Sequence, residues 1–445
     1  MQSRVSEIKL KDTTELELMR HYKELSDKNF CIEKGFYPLG SCTMKYNPRI
    51  NEWACRLDGF LNLHPMQDDD DSQGALKLMY GLQNFLKIIT GMDEITLQPC
   101  AGAHGEFCGM MVIKKYFEDK NDKRKIVIIP DNAHGTNPAS ASMCGFKIIE
   151  VKSNAKGLVD TDELKKIVAE YNKDIAAIMM TNPNTLGLFD DNIFEISKIM
   201  HNNGSLLYYD GANFNAIMGH TTPKLMGFDV VHINLHKTFS TPHAGGGPGA
   251  GPVGVVNKLA QYLPVPRIEF KDNKFYRNYN YPKTIGKVCT FYGNFNVLVR
   301  AYTYILMMGK SLKNVSNDAV LAANYLKSQL KKYYNMAFDT HCMHEFVIDN
   351  SDKKEKGTVT LDIAKRLMDE NIHPATIYFP LIVHEAFMVE PTESETKAVL
   401  DNFIEVMKKI SKEIDDNIDF HQFPKTTPIT RVDEVQAARH LNLRS

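Results

Sequence analysis

The chain has 445 residues, 43% hydrophobic and 24% charged, with a formal net charge of −1. That length can bury one large core and a smaller one, while the neutral balance offers nothing to nucleic acid or to an anionic membrane surface. Residues 1–11 mix Glu, Lys and Arg without an apolar stretch, so no signal or transit peptide is expected, and no run approaches the roughly 18 apolar residues of a membrane span.

In chain order, residues 1–71 read as an N-terminal arm with little regular period. The stretch from Gly35 to Pro48 carries apolar and turn residues that need neighbours to hold them. Helical spacing of Leu76, Met79, Leu82, Phe85, Leu86 and Ile89 predicts a helix over 72–90. The acidic run Asp68 to Asp71 precedes it, and capping with the helix dipole accounts for those acids better than a metal does. Short apolar runs follow at 126–129, 146–151, 175–180, 206–209 and 230–235, with helical stretches at 161–171 and 191–202 between them. That alternation predicts an α/β unit over 72–310, a mostly parallel sheet covered by helices on both faces. From 311 to 445 long helices dominate (319–334, 361–370 and 394–414), forming a smaller C-terminal domain.

The strand ends carry the chemistry. The run Leu206 to Tyr209 ends in Asp210, and the run Val230 to Leu235 leads into His236 and Lys237. Ligands bind outside the carboxyl ends of strands in such sheets. A lysine amine and a carboxylate at one rim are what pyridoxal phosphate needs: the Lys forms a Schiff base with the aldehyde, and the Asp keeps the ring nitrogen protonated. Cys100, Ala101, Gly102, Ala103, His104 and Gly105 open a helix whose N-terminus suits a phosphate. His134, in the loop after another strand, is placed to stack on a planar ring, and Thr181 to Thr185 offer polar groups to the ring oxygen. A second glycine cluster, Gly245 to Gly251, precedes a strand at 252–256 and contains no Gly-Lys-Ser/Thr. It suits a flexible lining of the site mouth rather than a nucleotide loop. His341, Cys342, His344 and Glu345 match no closed four-ligand metal spacing, so no metal is expected. Eight cysteines without a C-x-x-C pair fit free thiols in a reducing cytoplasm.

Six segments taken together (GFYPLGSCTMKYNPRIN, LQPCAGAHGE, PDNAHGTNPAS, TNPNTLGLFD, LLYYDGANFNAIMG and NLHKTFSTPH) closely resemble the glycine cleavage system P-protein family, in its second-subunit form. The resemblance covers nearly the whole chain. It implies the aspartate-aminotransferase-like fold of pyridoxal-phosphate-dependent transferases, with a smaller C-terminal α+β domain. By the same resemblance, Lys237 is the Schiff-base lysine and His236 helps hold the phosphate. Asp210 pairs with the ring nitrogen, while His134 and Ala212 flank the ring. The implied reaction is decarboxylation of glycine, with transfer of the aminomethyl group to the lipoyl arm of an H-protein. The implied assembly is a heterotetramer with a first subunit of similar fold, the arm being one contact. Ala244 and Cys100 depart from the family pattern without removing a catalytic group. The residues alone also suit a decarboxylase of a larger amino acid. A catalytically silent subunit sits poorly with Lys237 and Asp210, and no arginine stands out for an aminotransferase's second substrate carboxylate.

Overall fold

The computed structural model describes residues 12–242 and 249–441; the expectations for 1–11, Ala244 and Gly245 to Pro248 lie outside them. Seven strands form the main sheet: β1 (Glu94–Thr96), β2 (Ile126–Pro130), β3 (Lys147–Val151), β4 (Ile175–Thr181), β5 (Leu206–Gly211), β6 (Val230–Ile233) and β7 (Val253–Val255). Their order is β1-β7-β6-β5-β4-β2-β3, parallel throughout except for β7, which runs against β6 and β1. Strands β2, β4, β5 and β6 are buried along their whole length, as a sheet covered on both faces requires. One core face gathers Leu82, Leu86, Ile178, Leu207 and Val231 with the helix Gln73–Thr90. The other gathers Val127, Met179, Tyr208 and Val230 with the helix Gly102–Asp119.

Register does the positioning. Thr181 pairs with Asp210, and Asp210 with His232, so three polar side chains form a row across β4, β5 and β6 at the carboxyl edge. The 230–235 run stops being strand at Ile233, because the Asn234 carbonyl accepts the N–H groups of Lys237 (3.0 Å) and Thr238 (3.2 Å) and winds Leu235–Thr238 into one helical turn.

Elsewhere the structure corrects the expectations. The arm contains the helices Glu15–Asp27, Arg49–Cys55 and Asp58–Leu61. The first starts on a Thr14/Glu17 capping box yet buries none of its side chains. The acidic run caps nothing: the helix Gln73–Thr90 begins without a side-chain cap, while Asp69 and Asp70 pair with Arg277 and Lys274 of the hairpin 267–278. Ion pairs to a neighbouring strand won over the local dipole. The C-terminal region agrees with the α+β make-up that the resemblance implies, its helices joined by a four-stranded antiparallel sheet containing Phe346–Asp349 and Ala386–Val389. This packs with Leu326, Leu330, Phe403, Met407 and Ile410 in a core of its own.

Lys45 of the arm ties these parts together. Its buried Nζ donates to Glu393 Oε1 (2.7 Å), Asn215 Oδ1 (3.0 Å) and the Thr238 carbonyl (2.8 Å). Burial opposes its charge, but Glu393 and Tyr304 together hold the ammonium above its ordinary pKa. Breaking one side of a buried pair leaves the other charge uncompensated. Lys45→Met is therefore expected to destabilise the protein by about 3–5 kcal/mol, read as a lower urea midpoint; an unchanged midpoint would show that the pair carries no net stability.

Candidate active site

The carboxyl edge of the sheet opens into a cavity of about 620 Å³ whose lining includes Ser41, Gly102, Ala103, His134, Thr181, Asp210, Ala212, Asn234, His236 and Lys237. Asp210, at the end of β5, is buried to 2% exposure. Its Oδ2 accepts from Asn137 Nδ2 (2.9 Å) and its Oδ1 from the Ala212 N–H (2.9 Å), with His232 Nε2 3.3 Å from Oδ1. Burial opposes its charge, yet His232, Asn137, the Ala212 N–H and Lys237 together hold the carboxyl below its ordinary pKa. His232 is oriented in turn by the Tyr208 hydroxyl, 2.9 Å from its Nδ1. These contacts favour the charged form of a carboxylate that lines the cavity.

Lys237 sits on the single turn after β6, half-buried, and its Nζ donates to the carbonyl of Ser41 (2.8 Å). The sheet edge thus brings Lys237 and Asp210 into one cavity. At another wall the helix Gly102–Asp119 begins without a side-chain cap, so its first N–H groups are available to an anion. Glycine is required here for close approach. A Cβ on Gly102 would lie 2.6 Å from Asn234 Oδ1, and one on Gly251 would lie 2.1 Å from the Ala101 carbonyl oxygen. The part of the second glycine run that is described thus packs against the helix N-terminus. A Cβ on Gly249 would likewise stand 2.1 Å from His236 Nδ1.

The other expected residues divide. His134 lines the cavity, with Nδ1 2.9 Å from Thr136 Oγ1 and its ring edge-on to Phe379 at 5.6 Å. Thr136 donates onward to the buried Glu106 (2.8 Å). His104 turns away: its Nδ1 accepts the Cys100 N–H (3.2 Å), so only its backbone belongs to the helix N-terminus. Thr185 lines the cavity but donates its hydroxyl to the Asn132 carbonyl, tying two strand-end loops together. Sequence reasoning missed Thr181 and Asn234 as individual groups. Thr181 Oγ1 and Asn234 Oδ1 are buried, line the cavity and have no hydrogen-bond partner among the described residues. Cavity-facing polar atoms left in that state suit a polar ligand. It missed Asn137 and His232 too, although His232 is the polar side chain inside the otherwise apolar run of β6. Ser41 lies in the arm, where no period marks it.

Two buried clusters unite carboxylates with histidine, Glu106/Asp210/His232 and His344/Glu345/Glu390. Hydrogen-bond donors already occupy their carboxylates. Glu106 accepts from Thr136 and Ser140, Glu345 from Ser41, and Glu390 from Thr43.

With that geometry established, the relatives are informative. The profile described as glycine cleavage system P-protein matches residues 2–273, and that described as glycine dehydrogenase, C-terminal domain, matches residues 315–432. The probable glycine dehydrogenase (decarboxylating) subunit 2 of Caldanaerobacter subterraneus subsp. tengcongensis is 57% identical over 98% of this chain and 90% of its own length. The protein of the same description from Listeria monocytogenes serotype 4a is 56% identical over 98% and 89%. Among solved structures, a glycine decarboxylase (P-protein) of the glycine cleavage system in inhibitor-bound form superposes with a TM-score of 0.77 at 16% identity, covering 91% of this chain and 92% of that one. A sphingosine-1-phosphate lyase from Burkholderia pseudomallei superposes at 0.70 and 11% identity, covering 93% and 94%. A cavity built around a strand-end Lys and an ionised strand-end Asp, on a chain this similar along its length to such relatives, identifies it as a member of the glycine cleavage system P-protein family.

Proposed function

We propose that this chain is the subunit that decarboxylates glycine with pyridoxal phosphate, passing the aminomethyl group to the lipoyl arm of a carrier H-protein and releasing CO2. The observation that supports this reading best is the Lys237 amine sharing one cavity with the ionised Asp210. Pyridoxal phosphate, when bound, supplies an electron sink for the pair left on the glycine Cα as CO2 departs. Lys237 provides the amine that anchors the cofactor aldehyde. Asp210 holds a proton at the ring nitrogen, and the Asn137, Ala212 and His232 contacts keep it charged for that task. The first-turn N–H groups at Gly102, Ala103 and His104, with His236, hold the phosphate. His134 and Ala212 flank the ring, and Thr185 braces the loop beside it. The lipoyl disulfide takes the aminomethyl carbon: a C–S bond forms as the S–S bond breaks, and the arm leaves reduced.

A partner fits the arm. The helix Glu15–Asp27 leaves Leu16, Leu18, Met19, Tyr22 and Leu25 exposed, and apolar side chains gathered on one element mark an interaction surface. We assign it to a first subunit of similar fold, in a heterotetramer with two copies of each. The reaction belongs in the cytoplasm. Among the described residues no helix is long and apolar enough to cross a membrane.

Lys237→Ala is expected to abolish both the visible absorbance of the cofactor-loaded protein and the exchange of labelled bicarbonate into glycine; full exchange in that variant would overturn the assignment. Asp210→Asn should retain cofactor on Lys237 yet lower the exchange rate by about 10²–10³-fold, the range for losing one preorganised electrostatic partner. Exchange with a larger amino acid in preference to glycine would redirect the substrate assignment. Co-expression with the first subunit should give co-elution in gel filtration, and deletion of residues 1–28 should abolish it.

A further inference from the structure

We propose that Glu345 and Glu390 are positioning residues for Lys237, acting as a two-carboxylate clasp that holds the Ser41–Thr43 turn of the arm over the lysine. The inference rests on the reading of Lys237 as the cofactor-anchoring amine. The turn is an unfavourable one: Ser41 and Thr43 have positive φ, 57° and 49°, although neither is glycine, and such residues persist only where surroundings over-determine them. Here the surroundings are two glutamates. Glu345 Oε2 accepts the Ser41 N–H (2.6 Å), and its Oε1 is 3.2 Å from Ser41 Oγ and takes Asn213 Nδ2 at 3.3 Å. Glu390 Oε2 accepts the Thr43 N–H (2.9 Å) and its Oε1 the Thr43 hydroxyl (2.6 Å).

The small sheet explains why both carboxylates arrive together. Glu345 immediately precedes the strand Phe346–Asp349 and Glu390 immediately follows Ala386–Val389. These strands pair antiparallel with Phe346 opposite Val389, so the next position outward sets Glu345 beside Glu390. Both are fully buried, as is His344, whose Nε2 lies 3.8 Å from each. Burial, then the neighbouring Glu390, pushes the Glu345 carboxyl well up, and burial pushes Glu390 up. Two acidic side chains are held at close quarters, out of water, and both have a raised proton affinity. Apart from the Asn213 contact, their hydrogen bonds go to the turn whose Ser41 carbonyl receives the Lys237 amine at 2.8 Å. Glycine decarboxylation as derived above uses neither glutamate. Their service is to fix that carbonyl, and through it the direction of the amine.

Hydrogen chemistry distinguishes the variants. Glu345→Ala removes the acceptor of the Ser41 N–H and hydroxyl, and so opens the clasp. Glu390→Ala removes two bonds, whereas Glu390→Gln keeps an acceptor for the Thr43 N–H and offers a donor to its hydroxyl, and so restores it. Glu385→Gln, at a glutamate of the same sheet that accepts from the Thr360 N–H, is the control for general damage. Three readouts are taken on the full chain. Amide exchange of the peptide covering 40–46 should rise about tenfold in Glu345→Ala and Glu390→Ala. Acylation of Lys237 by acetic anhydride, followed peptide by peptide without cofactor, should rise about fivefold as the amine leaves its carbonyl. The pyridoxal phosphate concentration for half-maximal borohydride-trapped labelling of Lys237 should rise about tenfold. Glu390→Gln and Glu385→Gln should stay near the unmutated protein in all three.

A loosened turn with unchanged Lys237 acylation and unchanged cofactor capture would overturn the proposal, leaving the glutamates as structural ties only. Failure of the unmutated protein to take cofactor would overturn the functional reading instead, and the acylation arm would still decide the clasp. Should Glu390→Ala fail to fold, Thr43→Val deletes a single bond of the clasp, and unchanged Lys237 acylation there counts against the proposal equally.

Discussion

A carboxylate with almost no exposure to water sits at the end of a central strand, and the rest of the site is arranged around keeping it charged. Moving such a group out of water is strongly unfavourable unless hydrogen bonds and opposite charge replace the lost hydration. Around Asp210 the replacements come from four directions. Asn137 arrives from the helix Thr136–Met143, the Ala212 N–H from the turn beyond β5, His232 from β6, and Lys237 from the helical turn after it. Parallel register puts His232 level with Asp210, so the support is a property of the sheet and not of one flexible loop. Tyr208 extends it by one further hydrogen bond, from two residues earlier on the same strand as Asp210.

The second constraint is the arm. Residues with little local pattern reach into the cavity because three separate parts of the molecule hold them. Lys45 is gripped by Glu393, Asn215 and the carbonyl that ends the Lys237 turn. Ser41 and Thr43 are gripped by Glu345 and Glu390. The C-terminal sheet therefore does more than bury its own apolar core: the ends of its two central strands supply the acidic side chains that organise the arm, and the arm supplies the carbonyl that meets the lysine. A site built in this way exists only when the N-terminal segment, the main sheet and the C-terminal sheet are all in place.

Local patterns revealed the main sheet because buried parallel strands are nearly continuous apolar runs, and β2, β4, β5 and β6 are such runs. The three-residue strand β1 and the two- and four-residue strands of the smaller sheet carry too few positions for a period to register. In the arm, Thr14 and Glu17 did spell a capping box, but the helix they open has no buried face to complete the pattern. The acids at 68–71 were misleading for a different reason. A dipole effect falls off within a turn and competes poorly with the arginine and lysine of a hairpin some two hundred positions away.

Residue types and their order along the chain determined that an amine and a carboxylate would stand at one rim of a covered sheet, together with a glycine-rich helix start. Those features follow from strand periodicity and from where strands end. Which side chains keep the carboxylate ionised, that Thr185 braces a neighbour, and that Ser41, Glu345 and Glu390 meet beside Lys237 were decided by tertiary structure alone. Each depends on a hydrogen bond between residues brought together by register or by packing, and neither is written in local sequence.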